Sequence, residues 1–278
     1  MIAKQIERLV DLALEEDIGP GDITTNHLVP ADQEGRGHIF ARQPLTVAGL
    51  EVAQYVFQRL DAGARLNAHC ADGASLEPDA IIAEVTGRMR ALLTAERTAL
   101  NFLQRLSGIA THVMSYTELV KGHRVKLVDT RKTTPGWRLL EKYAVRVGGA
   151  HNHRTGLFDG VLIKDNHIAA CGGISEAVAR IRQRTSHLVR IEIEVSTLEE
   201  VSEATAAGAD VIMLDNMSVK QIQDAVAMIG DTALIEVSGG ITRERLARLA
   251  ETGVNLISVG GLTHAAISVD ISMDIESL

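Results

Sequence analysis

Apolar positions recur at helical spacing over roughly residues 2–16, and the turn DIGPGD then breaks the run with Gly19, Pro20 and Gly21. Short runs with strand character follow, GHIFARQPLTVAG, ARLNAHC and IIAEVTGR, punctuated by the turn signals DGAS and EPDA. A long amphipathic stretch, LLTAERTALNFLQRLSGIATHVMSYTELV, closes this mixed block. The pattern predicts an α+β N-terminal domain over 1–110.

From about residue 125 the periodicity changes. Six short runs rich in β-branched residues, KLVDTRK, GVLIKDN, VRIEIEVS, DVIMLDN, ALIEVSGG and LISVGG, alternate with amphipathic stretches such as WRLLEKYAVRVG and TLEEVSEATAAG. From the third run on, the repeat is about 20–23 residues, the length of one βα unit. Such alternation predicts a parallel sheet with right-handed crossovers. No open-sheet fingerprint accompanies it, so the expected fold class is α/β. It comprises an incomplete α/β barrel of about six parallel strands over 111–267 and an α+β sandwich N-terminal domain. The alternating tail, 268–278, is expected to rejoin the first domain.

Composition narrows the function. The 278 residues carry a net charge of −8 and are 46% hydrophobic and 23% charged, an ordinary globular enzyme or binding protein. The acidic balance argues against a nucleic-acid or membrane binder. The two cysteines, Cys70 and Cys171, lie far apart and suit a reducing cytoplasm, and neither they nor His69 show metal-ligand spacing. The first helix has no secretory pattern, and no apolar run reaches the roughly 20 residues that span a bilayer.

In parallel α/β folds chemistry collects at the carboxyl ends of strands. Those ends here carry Asp129, Arg131 and Lys132; Lys164, Asp165 and Asn166; Glu192 and Glu194; Asp215 and Asn216; Glu236, Ser238, Gly239 and Gly240; and Gly260, Gly261 and His264. Glu192 and Glu194 share one strand face. Bases crowd residues 121–154, where the only acids are Asp129 and Glu141, so a local cation excess inside an acidic protein points to an anionic small substrate. Arg131 and Arg154 could each grip a carboxylate with two hydrogen bonds. Lys142 and Arg146 are expected to be solvated helix surface. VSGGITRE and VGGLTHAA each combine a glycine pair with a following helix, an arrangement that favours a phosphate. Glu194 and Asp215 could hold Mg²⁺ directly or through water, bind sugar hydroxyls, or be buried ion-pair acids.

At DTRKTTPGWRLLEKYAV…GGAHNHRTGLFDGVLIKDNHI the chain closely resembles the quinolinate phosphoribosyltransferases, also called nicotinate-nucleotide pyrophosphorylases (carboxylating). The resemblance extends to GPGDITT, TAERTALNFLQRLSGIAT, IEVS, MLDNM, EVSGGI and GVNLISVGGLTH. It implies transfer of phosphoribose from 5-phosphoribosyl 1-pyrophosphate to quinolinate with Mg²⁺, releasing pyrophosphate and carbon dioxide and forming nicotinate mononucleotide for NAD biosynthesis. It implies a homodimer or higher even oligomer with the active site shared across the interface. By motif, Arg131, His153, Arg154 and Lys164 would surround the quinolinate carboxylates, and Arg97 would reach in from the partner. Lys132, Glu194 and Asp215 would serve the phosphoribosyl pyrophosphate and its metal. Ser238, Gly239, Gly240, Gly260, Gly261 and His264 would line the phosphate site. Ala150, Val237 and Gly261 depart from the family's usual residues.

The residues also admit a molybdenum-operon paralogue of this family, a Schiff-base aldolase using Lys164, and a non-catalytic ligand-binding regulator.

Overall fold

The computed structural model describes residues 3–278. In chain order it forms α1 (Lys4–Ile18), α2 (Ile23–Leu28), β1 (Glu34–Ala41), β2 (Leu45–Thr46), α3 (Leu50–Leu60), β3 (Arg65–Ala68), β4 (Ser75–Leu76), β5 (Ile81–Arg88) and α4 (Met89–Thr117). There follow β6 (Lys126–Val128), α5 (Arg138–Val147), β7 (Val161–Ile163), α6 (Asp165–Cys171), α7 (Ile174–Arg184), β8 (Ile191–Val195), α8 (Leu198–Ala206), β9 (Val211–Asp215), α9 (Val219–Ile229), β10 (Leu234–Ser238), α10 (Arg243–Ala250), β11 (Leu256–Ser258), α11 (Gly261–His264) and β12 (Ile271–Ser277). Among the described residues, no helix is long and apolar enough to cross a membrane.

Two compact units result. The first gathers residues up to 114 with 133–149 and 262–278; the second holds 115–132 and 150–261. In the first, an antiparallel sheet of order β12-β1-β5-β3 is built on alternation, β1 burying Gly35, Gly37, Ile39 and Ala41 while Arg36, His38 and Phe40 face outward. The helix α4 supplies Leu92, Leu103, Leu106 and Ile109 to the core. At Gly108 it meets the backbone of Ile267 and Ser268 so closely that no Cβ would fit.

The grouping of 133–149 with this unit does not follow a linear border at residue 110. Trp137 stacks on Phe102 with ring centroids 4.8 Å apart. Glu141, 0% exposed, accepts from Arg105 Nη2 and Thr134 Oγ1, each at 2.9 Å. Lys142, expected at the surface, is only 2% exposed, because α5 turns Leu140, Glu141, Lys142, Ala144 and Val145 inward together. Arg146 is exposed, as expected. Three helices, α2, α3 and α6, go beyond the periodicity reading. The first and last have fewer than eight residues, and α3 hides its apolar face (Val52, Ala53, Val56, Phe57) in a stretch dense with β-forming residues.

The second unit is a six-stranded parallel sheet of order β6-β11-β10-β9-β8-β7 with helices between the strands. The strands are buried on both faces and read as near-continuous apolar runs, Ile191, Ile193, Ile212, Leu214, Ile235 and Ile257 among them. Its end strands β6 and β7 do not pair with each other, so the barrel is incomplete. His151 makes an isolated parallel bridge with Val128 alongside β6, and residues 152–160 run from there to β7.

Candidate active site

Parallel strands deliver the residues that follow them to one end of the sheet. Arg131, Lys132, His153, Arg154, Lys164, Glu194, Asp215, Ser238, Gly239, Gly240, Gly260 and Gly261 all belong to the second unit and stand at or just beyond the carboxyl ends of strands or beside β6. Arg97, exposed on α4, and His264, at the end of α11, belong to the first unit. A separate groove of about 340 Å³ lies at the opposite strand ends of the second unit between Arg190, Asp210, Asp231 and Asn255, and none of that unit's strand-end residues lines it.

The segment after β6 explains how HNHRTG is held. Asp129, 0% exposed, accepts from Asn152 Nδ2 at 2.6 Å and from the His153 amide at 2.8 Å. The Arg154 amide donates to His153 Nδ1 at 2.7 Å, and the Arg154 guanidinium donates to the Gly160 carbonyl at 3.1 Å. Asp159 caps the loop by accepting from the Thr155 and Gly156 amides at 2.7 and 2.9 Å. Burial pushes the Arg154 guanidinium below its ordinary value, and the nearby Arg131 charge pushes it further, against the pull of Glu192 and Asp159. The Arg131 and Arg154 charges thus repel one another, which is the electrostatic preparation for a ligand with more than one negative charge.

Lys164 follows β7 and places Nζ 2.6 Å from Glu194 Oε2. A paired, partly exposed ammonium is not the desolvated setting that makes a lysine nucleophilic, which disfavours a Schiff base. Glu194 and Asp215 end neighbouring paired strands, β8 and β9, and both are partly exposed. Asn216 next to Asp215 adopts a left-handed backbone with φ 54° and donates from Nδ2 to Asp215 Oδ2 at 2.7 Å. Its amide donates to the Ser238 carbonyl at 3.0 Å, tying the end of β9 to the end of β10. Gly239, at φ 86°, has no alternative: a Cβ there would strike the Asn216 side chain. Arg245 donates from Nη1 to the Gly240 carbonyl at 3.0 Å, bracing the same loop from α10.

Below this rim, two acids already read among the strand ends, Glu192 and Glu236, cluster with His153, a meeting that strand-end reasoning does not predict. Glu192 and Glu236, both buried, face the His153 ring: Nε2 lies 3.0 Å from Glu192 Oε2 and 3.7 Å from Glu236 Oε2. Oε1 of each glutamate is buried without a hydrogen-bond partner. Burial first, and then the Glu192 charge, push the Glu236 carboxyl up to about 8, against the His153 and Ser258 contacts. One signal for this cluster is present in the chain, since an acid in the middle of a doubly covered parallel strand interrupts an otherwise apolar run.

Fold and rim together define an α/β-barrel protein whose strand ends pair cations with carboxylates and with glycine loops, the apparatus for an anionic, phosphate-bearing substrate. Two family models cover the chain: the quinolinate phosphoribosyl transferase N-terminal domain matches residues 22–107 and the C-terminal domain residues 109–274. The chain belongs to the quinolinate phosphoribosyl transferase family. It is 46% identical over 98% of its length, and 93% of the relative's, to a probable nicotinate-nucleotide pyrophosphorylase [carboxylating] of Bacillus subtilis. It is 43% identical to the nicotinate-nucleotide pyrophosphorylase [carboxylating] of Mycobacterium leprae, over 95% of this chain and 94% of that one. The crystal structure of NadC from Streptococcus pyogenes superposes with a TM-score of 0.96 at 42% identity, covering 100% of this chain and 99% of the other.

Proposed function

We propose that this protein transfers the phosphoribosyl group of 5-phosphoribosyl 1-pyrophosphate to the nitrogen of quinolinate, with loss of the adjacent carboxylate, giving nicotinate mononucleotide, pyrophosphate and carbon dioxide. The observation that carries the reading to this substrate is the mutual repulsion of the Arg131 and Arg154 charges, the latter on a loop anchored by Asp129. A pyridine dicarboxylate relieves that repulsion with two carboxylates, which nicotinate cannot do. Arg131, His153, Arg154 and Lys164 surround the dicarboxylate; because both ring nitrogens of His153 are engaged within the protein, the histidine shapes the wall rather than offering a ring nitrogen.

Lys132 and the loops of Ser238, Gly239, Gly240, Gly260, Gly261 and His264 take the phosphates, with backbone amides near helix starts favouring the anions. Glu194 and Asp215 offer hard oxygen donors on adjacent strand ends, a set that fits Mg²⁺ directly or through water. When bound, Mg²⁺ would offset charge on the diphosphate leaving group. The chain's own part is placement: the ring nitrogen is held toward the anomeric carbon while fixed cations keep the reacting anions together. Once the nitrogen is alkylated, the pyridinium ring accepts the electron pair left by the departing carboxylate, and the ring carbon then takes up a proton.

A homodimer or higher even oligomer completes the reading, with Arg97, exposed on α4, serving the partner's site. Mixing Arg97→Ala with Arg154→Ala subunits tests it, since a shared site restores partial activity. The reaction is tested by incubating the protein with phosphoribosyl pyrophosphate, Mg²⁺ and either quinolinate or nicotinate. Mononucleotide from quinolinate alone supports the assignment; product from neither, in a folded sample, favours the molybdenum-operon paralogue.

A further inference from the structure

In the buried cluster of His153, Glu192 and Glu236, the two acids have no part in the reaction as derived above. The cluster comes from the middle of β8 and β10 and from the loop beside β6, so alternate strands of the barrel supply it in one layer. Two acids beside an imidazole would ordinarily charge it. Here the Arg154 amide donates to Nδ1 at 2.7 Å, and a protonated Nδ1 could not accept that bond. With Nδ1 accepting, Nε2 is the ring nitrogen left to donate, and it faces Glu192 Oε2 3.0 Å away. Each partner constrains the next: Glu192 selects the tautomer, the tautomer leaves Nδ1 as an acceptor, and Nδ1 fixes the amide of the residue that carries the guanidinium.

We infer that Glu192, backed by Glu236, is a positioning residue for the carboxylate-binding wall, holding His153 in its Nε2–H tautomer and thereby fixing the backbone of Arg154. This rests on the reading of Arg154 as a carboxylate ligand. Glu192 also supplies the negative charge nearest in effect to Arg154 among the acids of the layer, so the Arg131–Arg154 pair is tolerated before substrate arrives. Glu236, 3.7 Å from Nε2 and so beyond hydrogen-bond distance, packs behind Glu192. Asp129 anchors the same loop from its other side through the His153 amide. The layer thus ties Asn152, His153 and Arg154 to three acids from three separate parts of the chain.

The experiment has two arms. In the first, protein carrying ¹⁵N-labelled histidine gives the imidazole tautomer by NMR, with His153 assigned through His153→Gln. An Nε2–H tautomer in the wild type, kept in Glu192→Gln and mixed in Glu192→Leu, is expected. An Nδ1–H tautomer, or no change in Glu192→Leu, overturns the inference. In the second, KM for each substrate is measured. Glu192→Leu should raise the quinolinate KM by about tenfold, the loss of one charge-assisted hydrogen bond, with the phosphoribosyl pyrophosphate KM within about twofold. Glu192→Gln, which still accepts from Nε2–H, should recover most of that. Equal rises in both KM values mark a merely structural role and sink the idea. So does a stoichiometric transition metal in the purified wild type that disappears in Glu236→Gln, because the three side chains would then be ligands. Should the wild type turn over neither substrate, the reading of Arg154 fails by itself and the tautomer arm alone decides the inference.

Discussion

Both units bury glutamates almost completely, and they treat them in opposite ways. In the first unit Glu141 receives the Arg105 guanidinium, the Thr134 hydroxyl at 2.9 Å and the Thr134 amide at 3.2 Å, while Arg105 also donates to the carbonyls of Thr263 and Ala266. Charge and hydrogen bonding are both satisfied. In the second unit Glu192 and Glu236 share one imidazole, and each leaves a buried oxygen without a partner. A satisfied buried pair holds segments together; an under-satisfied cluster at a barrel's core costs stability, and such a cost is usual where a site is being shaped. The first arrangement joins α4, α5 and the α11 region; the second stands beneath the loop that carries Arg154.

The comparison is broken most severely at Arg105. Arg105→Met leaves Glu141 charged and uncompensated, and unfolding in denaturant should show a loss of about 3–5 kcal/mol, with lower activity only in proportion to lost folded protein. Arg154→Ala should do the reverse. Its thermal midpoint should stay near that of the wild type, while kcat/KM for quinolinate falls by about 2–4 kcal/mol in transition-state terms. If Arg154→Ala loses as much stability as Arg105→Met, the distinction between the two units collapses.

The pH dependence sharpens the contrast. Glu236 is raised from 4.5 to about 8, so between those values the folded protein holds a proton that the unfolded chain has released. The resulting contribution is fully present below the unfolded value and is lost as pH rises through the folded one. Glu236→Gln stays neutral throughout, and its unfolding midpoints should decline less than those of the wild type from pH 5 to pH 8. An identical slope would mean that Glu236 is ionised in the fold. The smallest effect belongs to the solvated helix pairs. Lys220, 2.5 Å from Asp224 on α9, should lose no more than about 0.5 kcal/mol when changed to alanine.

The βα alternation was legible because a buried parallel strand must be apolar nearly throughout and its helices must be amphipathic, and both are local patterns. The six parallel strands lie in the six runs read from periodicity. The family was legible because DTRKT, NHR-x-GL and LIKDNHI are long and contiguous. The helix α3 was not, since tertiary burial of Val52, Val56 and Phe57 outweighs their strand preference. Nor was the burial of Lys142, which stands one helical turn before the exposed Arg146.

The sequence by itself determined which residues stand at the ends of which strands, since each follows its own strand directly along the chain. It also determined the cation excess around HNHRTG and the glycine pairs, which are composition and adjacency. Only the tertiary structure decided that Glu192, Glu236 and His153 meet, and that Asp129 holds the loop between them. Those contacts depend on the curvature that brings alternate strands of a barrel face to face, and no spacing along one strand encodes it.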